Sequence, residues 1–275
     1  MKRNKLSRVA NIALAASAVM LAVPASAAIT YNDGDIVLAV RATGGTGSTQ
    51  TYLADIGNVS QFTGITGSIN VSTLNSLGNI ATDLENTFGT AAGSATDWTN
   101  RSDLTWSLFG KNSASPASVW SSEAETTVGT APTPWSALSG TARNSVKSSI
   151  ASVTATFATA TSTGNSVGYF QTNANNSSSY NYAVTNGATA FGTLSQWTTS
   201  KLEGNFGNGT AGTALDLFAF TSASTPTDLG AFTISNSGVL TFTGTSAAPE
   251  PSRALLGMAG LAAVFLRRRR PATRA

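Results

Sequence analysis

Ile36-Val37-Leu38-Ala39-Val40 is an unbroken run of five apolar residues. A strand with one wet face alternates apolar and polar residues. A run with no polar member buries both faces, so residues 36–40 predict a central strand. Asn32-Asp33-Gly34-Asp35 before it and Gly44-Gly45-Thr46-Gly47 after it read as turns. Thr51 to Ile56 is then the expected pairing strand.

Further strands follow from the same patterning. Leu104, Trp106 and Leu108 alternate with Asp103, Thr105 and Ser107, predicting a strand over 103–109 with Trp106 in the core. Val119 to Glu125 is a second. Leu215 to Thr221, Leu229 to Ile234 and Val239 to Phe242 complete a β-rich C-terminal part, with Ser235-Asn236-Ser237-Gly238 as a hairpin turn. These strands are expected to close the sheet that residues 36–40 occupy. Two helices are predicted. One covers Ser76 to Phe88, with Leu77, Ile80, Leu84 and Phe88 on one stripe. The other covers Ser136 to Ala158, with Leu138, Ala142, Val146, Ile150, Val153 and Phe157 inward and Arg143 and Lys147 outward. The expected fold is mainly β, β-sandwich-like, or α+β, with one or two flanking helices. Residues 28–248 show no fixed repeat and no long Pro-rich linker, and read as one domain. Its loosest stretch is Thr161 to Ser179, where Asn and Ser cluster.

The 275 residues contain neither Cys nor His, and charged residues make up 11%. That removes a Ser-His-Asp triad, a Cys nucleophile, a Cys/His zinc site and a disulfide framework. No cofactor is implied. The net charge of +3 invites a nucleic-acid reading until it is divided along the chain. Residues 1–27 hold four bases and no acid, and residues 249–275 hold six bases and one acid; the 221 residues between hold six bases and twelve acids. The body is acidic, so nucleic acid is not an expected partner.

Both ends read as topology signals. Lys2, Arg3, Lys5 and Arg8 precede an apolar run from Val9 to Val23, and Ala25-Ser26-Ala27 follows. This is the order of a secretory signal peptide over residues 1–27, cut before Ala28, with the Sec machinery and signal peptidase as partners. An uncleaved anchor is the alternative. At the other end stand Pro249-Glu250-Pro251, an apolar block from Ala254 to Leu266, and Arg267-Arg268-Arg269-Arg270. As a helix the block spans about 20 Å, and the four arginines hold its far end in the cytoplasm with residues 271–275.

The order Pro-Glu-Pro, short apolar helix, arginine cluster resembles the PEP-CTERM sorting signal, over residues 249–270. The resemblance implies a temporary inner-membrane anchor cut near Pro249-Glu250-Pro251 by an exosortase, a membrane-embedded cysteine protease-transpeptidase. It implies a cell-surface or extracellular destination, in association with exopolysaccharide or biofilm. Arg253 and the five residues after Arg270 depart from the usual pattern. The spacing of Tyr31, Gly34-Asp35-Ile36-Val37-Leu38 and Tyr52-Leu53 is similar to the opening of other proteins with this signal.

Candidate chemistry in the body is sparse. Glu123 and Glu125 alternate on a strand, about 7 Å apart by strand rise, a separation suited to glycoside hydrolysis. The alternative is the solvent face of an edge strand. Asn32, Asp33 and Asp35 offer oxygens to Ca²⁺, but the twelfth position of an EF-hand loop is Thr43. Gly44-Gly45-Thr46-Gly47 has the glycines of a phosphate loop without its Gly-Lys-Ser/Thr ending. Among the aromatics, Tyr180 and Tyr182 lie in a polar stretch and are the candidate surface contacts for a glycan. The Thr241-Phe242-Thr243 strand offers a weaker version of the same idea. The two functional readings are a non-enzymatic exported matrix protein, and a secreted carbohydrate-binding module or glycan-active enzyme using aromatics and acids.

Overall fold

The computed structural model describes residues 29–245, apart from 79, 90–96, 115–116, 127–128, 134, 164–166, 187–198 and 207–211. Both terminal signals lie outside the described residues. So do Ala25, Ala27 and Ala28, the Pro249-Glu250-Pro251 motif, Arg267 to Arg270, and Trp197.

The fold is mainly β, built on one curled antiparallel sheet of ten strands. The strands are β1 (Asp35–Ala42), β2 (Gln50–Asn58), β3 (Gly67–Asn70), β4 (Leu104–Asn112), β5 (Ser118–Ala124), β6 (Gly168–Thr172), β7 (Gly204–Asn205), β8 (Leu215–Phe220), β9 (Thr227–Ile234) and β10 (Leu240–Gly244). Their order is β3-β10-β9-β8-β5-β4-β1-β2-β6, with β7 paired to β4 off this path. The expected central strand lies between β2 and β4, and all eight of its residues are buried. Its two faces feed two cores. Ile36, Leu38 and Val40 join Tyr52, Phe62, Trp106, Leu217, Phe232 and Phe242 on the inner side of the curl. Val37 and Ala39 join Phe109, Phe157, Tyr180 and Phe218 beneath the helices. The ladder is continuous, so the two halves of the inner core come from one sheet bent on itself.

The helices are α1 (Val71–Leu74), α2 (Ile80–Phe88), α3 (Gly140–Thr154), α4 (Tyr180–Thr185) and α5 (Thr199–Leu202). The helix expected from Ser76 starts only at Ile80. Ser76 has φ 51° and Gly78 φ 69°, left-handed values that interrupt a helix ahead of α2. The long helix begins where Ser139 accepts a hydrogen bond from the Ala142 N–H and tightens into a 3₁₀ turn over Ala155–Thr159. Arg143, expected on its wet face, is buried. Its guanidinium donates to the Ala117 and Leu138 carbonyls, and no acid among the described residues pairs with it.

The described residues at the C-terminal end of the stretch expected to be loosest, 168–179, are tied down. β6 is the edge strand beside β2, and the Gln171 amide donates to Ser178 O and accepts from the Tyr180 N–H. The hairpin at 235–238 forms as expected, with Ser235 N–H donating to Val239 O and Gly238 N–H to Ser235 O. Among the described residues, no helix is long and apolar enough to cross a membrane.

Candidate functional site

Glu123 and Glu125 are the first candidates that the structure relocates. β5 is an interior strand between β4 and β8, so their side chains do not face solvent from an edge. Glu123 is 3% exposed and Glu125 8%. Across the ladder Glu123 stands opposite Asp216, itself 4% exposed. Asp228 lies one strand further on. Four carboxyls therefore gather on the helix-covered side of β5, β8 and β9.

One cation approaches them. Lys201, from α5, places its Nζ 3.3 Å from Glu123 Oε1 and 5.1 Å from the Trp135 ring centre. Glu125 Oε2 accepts from the Gly129 N–H at 2.6 Å. One oxygen on each of Glu123 and Asp216 is buried with no hydrogen-bond partner. Burial first, then the charges of Asp228, Glu125 and Glu123, push Asp216 up to about 7. Burial likewise raises Glu123, against the pull of Lys201. Burial thus favours the protonated form in this cluster. Its Glu123–Asp216 pair shares a ladder rung rather than flanking a cleft, so the two-carboxylate geometry of a glycosidase is not what these residues form.

The acids of the first turn separate in space. Asp33 turns outward to Lys111 Nζ at 2.5 Å and the Ser113 N–H at 2.6 Å. Asp35 turns inward, accepting from Asn32 N–H and Asn58 Nδ2. Its neighbour is a residue sequence reasoning missed. Asp55, on β2, accepts from the Gly57 N–H and hydrogen-bonds Asp35, and burial with that neighbour lifts it to about 7. The pair opens on a cleft of about 290 Å³ that Asn75 and Thr30 also line. The missed signal is the lone acid in Tyr52-Leu53-Ala54-Asp55-Ile56, a polar break in an otherwise buried strand. The calcium expectation on Asn32, Asp33 and Asp35 loses its convergence, because Asp33 is spent on Lys111. Among the described residues, no group of three or more acids stands in metal-binding geometry.

The glycine loop has the polarity opposite to a phosphate cradle. Two of its carbonyls, those of Gly44 and Thr46, point to a buried cation. Arg101 donates to Thr46 O at 2.6 Å, to Gly44 O at 2.8 Å and to Phe88 O at 2.7 Å, and pairs with Asp103 at 2.6 Å. Gly45 and Gly47 hold φ of 64° and 78°, values that suit glycine and let the loop wrap the guanidinium.

Tyr180 and Tyr182 are not a surface pair. Both belong to α4, and Tyr180 is fully buried while Tyr182 is half-buried. Tyr180 stacks on Phe109 at 5.4 Å, hydrogen-bonds Ser107, and donates to Glu203 Oε1 at 3.0 Å. Glu203 in turn takes a bidentate pair from Arg41, at 2.7 and 2.6 Å. An Arg–Glu–Tyr network thus ties β1, α4 and the start of β7 together beneath the sheet. Burial and the Glu203 charge hold the Tyr180 hydroxyl protonated. The glycan-contact expectation fails for Tyr180 because its ring is the packing between α4 and β4.

No family model, no curated protein and no solved structure matches this chain.

Proposed function

We propose that this chain is an exported surface or extracellular-matrix protein of a bacterium. In this reading it is anchored transiently in the inner membrane and released or attached by an exosortase acting at Pro249-Glu250-Pro251. One observation carries the reading: the ordered tail of Pro-Glu-Pro, the 13-residue apolar block 254–266, and Arg267 to Arg270. The arginines supply the positive-inside charge that leaves everything before the block outside the cytoplasm. The division of charge agrees, since bases are concentrated in residues 1–27 and 249–275 and the body is acidic.

The body supports a non-enzymatic role within this reading. Its most perturbed acids are held in the buried Glu123–Asp216 cluster and the Asp35–Asp55 pair. We read its curled sheet, with α1 and α2 packed into its inner core and α3 and α4 on the other face, as a sandwich-like passenger for a polysaccharide-rich layer.

Intact mass of the mature protein, from hosts with and without the exosortase, tests the processing. The expected result is loss of the tail only when the enzyme is present. A tail retained in both hosts overturns the reading, as does one removed in both.

A further inference from the structure

The β1–β2 ladder is irregular at one end, where its register shifts between Asp35 and Val37. There Asp35, 5% exposed, and the half-buried Asp55 are hydrogen-bonded to each other. Such a bond between two carboxyl groups needs a proton on one of them. Their other donors are neutral: Asn32 N–H and Asn58 Nδ2 for Asp35, and Gly57 N–H for Asp55. Residues 28–248 hold six bases. Arg41, Arg101, Lys111 and Lys201 pair with Glu203, Asp103, Asp33 and Glu123. Arg143 is held by carbonyls, and Lys147 does not line the cleft in front of the pair. Two adjacent acids are thus left without a cation among the described residues. A carboxylate oxygen accepts more than one hydrogen bond, so the neutral donors leave room for a charged one.

The cleft, of about 290 Å³, is lined also by Ile29 and Thr30, where the described body begins. Ile29 is fixed in place, 4% exposed and packed in the cluster of Val37 and Phe157 beneath the helices. The expected signal-peptide cut falls one residue upstream, before Ala28. Consecutive Cα atoms are about 3.8 Å apart, so an α-nitrogen on residue 28 stays within about 5 Å of the Ile29 Cα. In the uncleaved chain that nitrogen is a neutral amide. Hydrolysis of the Ala27–Ala28 bond leaves a carboxylate on Ala27 and an amine on Ala28 that takes up a proton. The cut therefore creates a cation beside a cleft that has two acids and no cation of its own.

We propose that the α-ammonium freed at Ala28 docks in this cleft and forms an ion pair with Asp55 and Asp35. The inference rests on export with cleavage before Ala28. On docking, the proton shared by the two acids leaves to solvent and the ammonium takes its place. Maturation is then coupled to stability, because the chain gains this pair only once its leader is gone. A chain starting further upstream would carry its ammonium past the cleft.

The protein recovered after export tests this. N-terminal sequencing establishes where it begins. Acetylation of its amines across a series of pH values, read by peptide mass spectrometry, then gives the titration of the Ala28 amine, with Lys147 as internal reference. An unpaired α-amine titrates near about 8; the paired one is expected at about 9 or above. Its acetylation at pH 8 should accordingly be about fivefold or more slower than in the same chain unfolded in urea. Asp55→Asn and Asp35→Asn keep the shape and remove a charge, so each should lower the titration toward the ordinary range. Unchanged circular dichroism in these variants separates lost charge from lost fold. An amine that titrates normally in the wild-type chain overturns the inference, as does a raised titration that neither substitution lowers. With the chain beginning at Ala28, those outcomes leave export standing and remove only the pairing. A chain that keeps residues 1–27 removes both.

Discussion

Glu123 and Asp216 face each other across one rung of the β5–β8 ladder, each with a buried carboxylate oxygen that no donor reaches. In a folded protein such a pair is tolerable when a proton is present. Asp55, hydrogen-bonded to Asp35, is a second case of the same kind.

The pH dependence of stability follows. Asp216 and Asp55 are both raised to about 7 in the folded chain, above the roughly 3.9 of an unfolded aspartate. Their stabilising contribution is fully present below the unfolded value and is lost as pH rises through 7. Asp33 and Asp103 are lowered by Lys111 and Arg101, so their contribution is lost in stronger acid. Stability should therefore peak in mild acid and fall between pH 5 and 8 by about 2–4 kcal/mol. Urea titrations at a series of pH values check this. A flat profile, or one rising toward pH 8, contradicts it.

Asp216→Asn isolates the cluster. The amide keeps the shape and carries no charge, so the variant should gain about 1–3 kcal/mol at pH 8 and lose about half of the downward slope, Asp55 supplying the rest. Chemical denaturation of both proteins at pH 5 and 8 measures it. Equal destabilisation at both values would mean that Asp216 matters for shape rather than for charge.

The Arg41–Glu203 pair is buried on both sides, with side-chain exposures of 6% and 3%. Arg41→Ala leaves Glu203 and the Tyr180 hydroxyl without their cation and should cost about 3–5 kcal/mol. Tyr180→Phe removes only one donor and should cost about 1–2 kcal/mol. The double variant Arg41→Met with Glu203→Leu should recover much of the first loss. Arg41→Ala behaving like a surface substitution would show that the pair is solvated.

Gly230 lies on β9 with φ 135°, and a Cβ there would run into the Thr243 carbonyl of β10. Gly230→Ala should destabilise by about 2–3 kcal/mol through strain and clash together. Gly64→Ala is the control. It too has positive φ, 70°, but nothing lies near its Cβ, and about 1 kcal/mol is expected. Thermal unfolding of the two variants separates backbone strain from the close approach.

Periodicity located the strands well, because period-two alternation and apolar runs are set by the sheet itself. Ile36 to Val40 was legible as a central strand, and Trp106 as a core residue. Polar residues were misplaced for one shared reason. Arg143, Glu123 and Tyr180 meet partners 5 to 78 residues away in sequence, Leu138, Lys201 and Ser107 among them. A local pattern assigns any such residue to the surface. Gly44 to Gly47 was legible as a turn, but not what the turn holds. Glycine content marks a tight loop, but whether it offers amides or carbonyls depended on Arg101, 54 residues after Gly47.

The two ends of the sheet have a kinetic meaning. β3 (67–70) pairs with β10 (240–244), and β2 (50–58) waits for β6 (168–172). Pairings this distant make folding slow, since large loops must close before they are rewarded with contacts. The strand order also means that the sheet cannot be completed until residue 244 has left the ribosome. Until then β3 has no strand to pair with, and β9 lacks its neighbour β10.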